Sequence, residues 1–443
     1  MNRRDFLKLA MAAGCSCFVP ALSGRAFAAP LDDIVFDPAV YSANEAQTIM
    51  VFLYGGASEL GGNFTNYDEF KELSESSYAD YFGSTNVVPT INGFWGEAGG
   101  DLMEELMVTQ DLNVFRTCFS QVRWDNENRS HGSCVNQNQR GTFNEDAAGI
   151  FANLARVLYS NGIITTDTTM PFISMDGESA FYIRGNLPMV PVLEPFTISA
   201  NLDNPFERGW ARSYSDQMDI LAQDRNRLLD LSPKITDAFD KRAELDQFIT
   251  SILTIPDPQL GTNGAGEDLN YENNDFAKKM KNAVKIFNSN NDTRVISLST
   301  SGLGGWDDHN DADNYLARMK QLFRALRSAV THIKQLGKDD TINIMIMGDF
   351  GRGVNLNSAK GWDHGNLQSF YVLGGKRYFQ TPGVVGETVL DATGNANRLF
   401  LRPAGGSPWF EPSSIAATIY AVYGITNPEI LTDGNVVISQ LLR

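Results

Sequence analysis

The chain is poor in cysteine, histidine and positive charge, and it has no apolar run of membrane-spanning length. Four cysteines among 443 residues cannot support a disulfide-dense scaffold, so the fold must rest on a buried core. Cys15 and Cys17 fall within the first 28 residues. Cys118 and Cys134 remain, either as one disulfide or as two buried thiols, and their separation argues against a thiolate zinc site. Acids outnumber Lys and Arg by 53 to 36, a formal charge of -17. Arg3, Arg4, Lys8 and Arg25 face only Asp5 in the first 28 residues, so the remainder stands near -20. Such a surface repels phosphate backbones and anionic lipid, which argues against nucleic acid and membrane surfaces as partners. It also means that a small anionic substrate needs a local cation to hold it.

The N-terminus runs Asn2-Arg3-Arg4-Asp5-Phe6-Leu7-Lys8, then a modest apolar stretch, then Ala26-Phe27-Ala28. Paired arginines followed by Phe-Leu-Lys, with a small-x-small site beyond, predict a twin-arginine signal peptide over residues 1–28, cleaved after Ala28. The expected partner is the twin-arginine translocase, and the expected destination is the periplasm or the medium. Pro20, Gly24 and Arg25 break the apolar stretch well short of the ~20 residues that span a bilayer, so no stable anchor is expected. A lipid on Cys15 is disfavoured because the apolar run before it is too short.

Residues 29–443 read as a single domain with loop insertions, for no change in composition divides them. Gln47-Thr-Ile-Met-Val-Phe-Leu53 ending at Gly55-Gly56 has the continuous apolar character of a strand buried on both faces. Residues 144–160 and 234–253 show helical spacing, and the polar stretch 256–274 reads as a surface loop. The clearest rhythm comes later: a helix over 275–287, a strand over 294–299, a long helix over 315–336, strands over 341–347 and 369–373, and a helix over 412–423. Strand, helix and strand with short joins predict an α/β fold with a central, mostly parallel sheet covered by helices on both faces. In such sheets the site lies at the carboxyl ends of the strands.

Only four histidines are available. His332, mid-helix and off the apolar stripe, reads as a solvated side chain. The others sit in polar loops beside Asp, Gly or Ser. Gly305-Trp306-Asp307-Asp308-His309 follows a strand, and Asp307 and His309, two apart, point the same way if the loop is extended. A carboxylate and an imidazole on one side are half of a divalent-metal shell. Gly348-Asp349-Phe350-Gly351-Arg352 places an acid at a strand end, with Arg352 able to bind an anion. Gly361-Trp362-Asp363-His364-Gly365 precedes the strand at 369. Singly each cluster is weak; together they are a moderately specific sign of a metal site.

These motifs, with the twin-arginine start and Leu53-Tyr54-Gly55-Gly56, resemble domain-of-unknown-function family 1501, in order and over nearly the whole chain after residue 28. That family is similar to the alkaline phosphatase and sulfatase superfamily. The resemblance implies an alkaline phosphatase-like α/β sandwich with divalent metal (Zn, Mn, Mg or Ca) held by Asp and His in loops. By that likeness Asp307 and His309 share one metal with His364 beside them, and Asp349 takes the acid position on a second. The acid common in the family's first glycine-rich turn is missing here, and Glu59 is its displaced substitute. Asp349 stands where the family more often has Glu, and Asp363 where Thr is usual. The superfamily's hydroxyl nucleophile opens a helix, and Arg129-Ser130-His131-Gly132-Ser133, ahead of the helix expected near 144, is the matching region. Ser130 there is either a nucleophile with His131 beside it or a plain N-cap. Two functions follow as expectations: an exported metal-dependent hydrolase of phosphate or sulfate esters, or a catalytically silent binding or secretion-associated protein on the same scaffold.

Overall fold

A computed structural model describes residues 29–72, 77–83, 87–177, 179–185, 187, 196–202, 220, 224, 233–391 and 399–443. The proposed signal peptide lies outside them. No helix among the described residues is long and apolar enough to cross a membrane.

Among the described residues the central sheet has eight strands: β1 Gln47–Leu53, β2 Leu112–Phe119, β3 Phe172–Met175, β4 Phe196–Thr197, β5 Val295–Ser299, β6 Ile342–Gly348, β7 Leu367–Gly374 and β8 Val384–Val385. Their order across the sheet is β4-β3-β5-β1-β6-β7-β2-β8. Every neighbouring pair is parallel except the two that β7 makes, with β6 and with β2. β7 therefore runs against all the others. Thr388–Asp391 and Phe400–Pro403, β9 and β10, form a separate antiparallel pair.

β1 and β6 are apolar on both faces because each face meets its own core. Ile49, Val51, Leu53, Ile342, Ile344 and Ile346 enter one cluster; Met50, Phe52, Met345 and Met347 enter the other. This alternation is the two-residue period of a strand with no solvent face. Helices Asp275–Ser289 and Tyr315–Gln335 close the first cluster with Phe276, Met280, Val284, Met319, Leu322 and Leu326. Helices Ile150–Ser160 and Ser413–Val422 close the second with Phe151, Leu154, Leu158, Ile415 and Ile419. The α/β reading and the two-sided helix cover are thus observed.

One reading changes, one open choice is decided and one boundary moves. His332 is buried, not solvated: its ring shares a 3.2 Å hydrogen bond with the Tyr271 hydroxyl, because the helix that carries it is covered by the 256–274 segment. Cys118, on β2, and Cys134, on a helix, are the two buried thiols, enclosed on different elements and not joined. The helix expected from residue 144 begins at Ile150, and another, His131–Arg140, precedes it. That earlier helix escaped periodicity because the residues it buries are mostly polar: Gln137, Asn138, Gln139 and Arg140.

The register aligns the strand ends. Phe52 lies opposite Ser299 and Leu53 opposite Gly348, so the loops after β5, β1 and β6 leave from one edge. Phe119 at the end of β2 pairs with Leu367 at the start of β7. The reversed sense of β7 thereby brings the segment before it, with His364, to the same edge as the segments after the parallel strands.

Candidate metal centre

At that edge, one ligand atom each from His131, Asp307, His309 and His364 lie within 4.8 Å of one another. Asp307 is central: its Oδ1 is 3.2 Å from His131 Nε2, 3.4 Å from His309 Nε2 and 3.9 Å from His364 Nε2. His309 Nε2 and His364 Nε2 face each other at 2.6 Å. Three imidazoles and one carboxylate match the borderline donor set that divalent transition metals prefer. Burial, and then the Arg352 charge and the neighbouring rings, push His364 down to about 4, so the ring is neutral at ordinary pH. Burial alone would raise Asp307, but the Arg352 guanidinium and the imidazoles outweigh it and hold the carboxyl below its usual range.

Local chain geometry sets this up. The 306–309 turn is tight, not extended: the amides of Asp308 and His309 donate to the carbonyls of Trp306 and Asp307, each at 3.0 Å. Asp307 and His309 still meet, since Trp306 is buried, with its indole N–H on Thr300 at 2.7 Å, and fixes the start of the turn. Gly55, at φ +104°, lies so close that a Cβ would come 2.5 Å from the Asp307 nitrogen. Gly361 packs equally hard on the His309 backbone, with a Cβ 2.3 Å from its carbonyl.

His131 opens the helix His131–Arg140, and its Nδ1 meets Asp349 Oδ2 at 2.8 Å. That contact leaves Nε2 to face the cluster, the usual role of a carboxylate behind a ligating imidazole. The same contact is the main reason that His131 sits above its usual range, while burial raises Asp349. Asp349 also accepts from the Gly55 amide at 3.1 Å, and its backbone carbonyl is held by Asn138 at 2.8 Å. It therefore stands behind His131, outside the four-atom group; its second oxygen, Oδ1, is buried with no hydrogen bond. A buried carboxylate oxygen without a donor, on a residue that contacts His131, fits a cation nearby.

Glu59 and Arg352 depart from their expected roles. Glu59 is buried, with Oε2 accepting the Arg352 amide at 2.7 Å, and burial pushes its carboxyl up to about 8. It is not among the clustered ligand atoms. The Arg352 side chain is 0% exposed. It donates to the carbonyls of Gly56 at 2.7 Å, Trp362 at 3.2 Å, Trp306 at 3.2 Å and Gly55, and to Asp307 Oδ1 at 2.7 Å. Arg352 ties three loops together, and its fully buried side chain is turned to backbone carbonyls and Asp307. Ser130 is the exposed N-cap residue of the helix His131–Arg140 and makes no side-chain capping bond. Asp363 was missed: its Oδ1 lies 3.4 Å from His309 Nδ1, on the far side of the ring from the cluster. The Asp-His adjacency in the motif was the only available signal.

The sequence model of a family described as "Protein of unknown function (DUF1501)" matches residues 198–399. Over that stretch, somewhat under half of the chain, the sequence is similar to this family. No curated protein matches. Among solved structures, one titled as Ps i-CgsB in complex with k-i-k-neocarrahexaose is 11% identical with a TM-score of 0.37, covering 87% of this chain and 74% of that one. The lipoteichoic acid synthase LtaP from Listeria monocytogenes is also 11% identical, with a TM-score of 0.33, covering 92% of this chain and 78% of that one. Likenesses this loose carry no chemistry across to this chain.

Proposed function

We propose that this protein is an exported metal-dependent hydrolase of phosphate or sulfate esters. The reading rests on one observation: the convergence of His131, Asp307, His309 and His364 from three segments remote in sequence. These four would hold a divalent ion, which would polarise an ester oxygen and lower the pKa of a nearby hydroxyl or water. Asp349 holds the His131 ring in one orientation, and Asp363 lies against His309 on the side away from the cluster. Arg352 fixes the loops and sets the charge on Asp307. The Ser130 hydroxyl, uncommitted to capping at a helix N-terminus, is the nucleophile assigned here; the helix dipole favours its ionised form by about 0.3–1 kcal/mol. A twin-arginine leader agrees with this reading, since export after folding lets the metal be acquired inside the cell.

One observation favours the second reading, a silent binding protein on the same scaffold: the cation expected to hold substrate, Arg352, is consumed internally. The two separate in one assay. Purified protein loaded with Zn, Mn or Ca is offered aryl phosphates and aryl sulfates. Turnover that disappears in His309→Ala, together with bound metal, is the expected result. Stoichiometric metal without turnover on either ester class would leave the binding protein, and absence of metal affinity would remove both.

A further inference from the structure

The metal reading leaves a buried amine unused. Lys279, on the helix Asp275–Ser289, is 6% exposed, and its Nζ lies 2.5 Å from Ser301 Oγ and 3.0 Å from Ser299 Oγ. Ser299 ends β5 and Ser301 sits on the turn after it, where the Leu303 amide donates to the Thr300 carbonyl at 3.0 Å. Ser301 is exposed, so the pair is enclosed on the amine side and open on the hydroxyl side. Behind it, Ser299 hydrogen-bonds the Asp176 carboxyl, which also accepts from the Tyr54 hydroxyl at 2.8 Å. Tyr54 in turn accepts from Gln139 at 2.7 Å. Tyr54, Asp176 and Ser299 stand at the carboxyl ends of three neighbouring strands, β1, β3 and β5. Asp176 and Asp275 act on the Lys279 ammonium only through charge, and burial outweighs them, so its pKa lies below that of a surface lysine.

An exposed hydroxyl in hydrogen-bond contact with a desolvated lysine is the arrangement of a serine–lysine dyad. Gly302 follows Ser301 at φ +98°, and its amide makes no hydrogen bond among the described residues, which leaves it free to meet an oxyanion formed at the neighbouring Oγ. We propose that Ser301 and Lys279 are a nucleophile and its base, and that they hydrolyse neutral carboxylic esters without metal. Lys279 takes the Ser301 proton as Oγ bonds to the carbonyl carbon. The ammonium returns that proton to the departing alcohol oxygen as the C–O bond breaks, leaving acyl-Ser301. Water, deprotonated by the same amine, then releases the carboxylic acid and restores the hydroxyl. The substrate is neutral because Asp176, Asp275 and a chain charge of -17 oppose an anion there. This pair shares no residue with the metal cluster.

The test uses the full chain in chelator, which silences any metal chemistry. Wild type should hydrolyse p-nitrophenyl acetate faster than buffer does. It should also react with an alkyl fluorophosphonate, forming an Oγ–P bond with loss of fluoride, and fragment ions in mass spectrometry should place the adduct on Ser301. Ser301→Ala should remove the adduct and lower turnover about 100-fold, the scale of a lost nucleophile–base step. Lys279→Arg keeps a cation and N–H donors for both serines but does not release its proton, so turnover should fall equally. A lysine that only braced the turn would be replaced by arginine without loss. Thermal melts check the fold, and Ser301→Ala, at an exposed position, decides the matter where a Lys279 variant unfolds. An adduct elsewhere or none, full turnover in either variant, or turnover that requires metal would overturn the pair. The metal-dependent reading has its own assay on phosphate and sulfate esters, so either can fail alone.

Discussion

His332 and His364 are two rings that burial pushes down to about 4, and they do opposite things. His332 sits within the helix Tyr315–Gln335 against Tyr271, with Lys285, Asp257 and Lys281 near enough to act on it only through charge. His364 sits in a loop where Asp307, His131 and His309 all turn ligand atoms toward one point. A depressed histidine pKa therefore does not mark a site, since a packed helix produces the same shift. Convergence of donor atoms marks it. Each region can be perturbed separately, and the two should respond differently.

The largest expected effect comes from Gly361→Ala. A Cβ there would stand 2.3 Å from the Asp308 carbonyl oxygen and from the His309 carbonyl, with no flexible side chain to yield. The 308–309 backbone must move, taking His309 away from Asp307 and His364. Metal affinity, read by titration, should fall on the order of 100-fold, as for lost support behind a ligand. Gly305→Ala meets nothing within 4 Å and should change neither metal binding nor stability. If Gly361→Ala keeps wild-type metal affinity, the cluster does not depend on the loop packing seen here. Nothing comparable should follow from a change at His332, where metal affinity is expected to stay constant.

The His332 region should instead report through acid stability. Its folded pKa lies below the unfolded value near 6.5, so the unfolded chain binds the proton first as pH falls. Its contribution is complete above 6.5 and is lost as pH drops toward 4. The loss attributable to this ring is roughly 2–3 kcal/mol. His332→Gln keeps an acceptor for Tyr271 and cannot protonate, so urea melts at pH 7 and pH 4.5 should show a smaller drop than wild type. Equal drops would mean that the ring is solvated after all.

The sequence carried most of the fold because most of it is apolar period. The strands at 47, 295 and 342, and the helices at 275, 315 and 413, follow from continuous or stripe-like hydrophobicity and emerge within a few residues of expectation. β2 was missed because Arg116 and Thr117 interrupt it; Arg116 is accommodated by donating to the Gly62 carbonyl at 2.8 Å, a partner remote in sequence. The site was legible as residue types but not as roles. Asp307, His309 and His364 could be grouped from their loops, whereas the antiparallel sense of β7, which decides that His364 arrives, has no local signature. That His131 faces the cluster while Asp349 contacts its other ring nitrogen is visible only as tertiary contact. Arg352 looked available because a flanking glycine says nothing of the carbonyls that surround it.

The smallest effect on metal binding is expected at Glu59, beneath the same loops yet outside the cluster. Its carboxyl is raised to about 8 by burial, so in the fold it stays protonated where the unfolded chain, near 4.5, has already released its proton. That term is full below 4.5 and is lost as pH climbs toward 8, the reverse of the His332 case. Glu59→Gln removes the titration while keeping an oxygen for the Arg352 amide. Burial of the charged form outweighs the Arg352 N–H bond in wild type, so the variant should gain stability over wild type at pH 8 and not at pH 4.5. Metal affinity should not move at either pH. A loss of metal in Glu59→Gln would return this residue to the ligand shell, and with it the family's missing first acid.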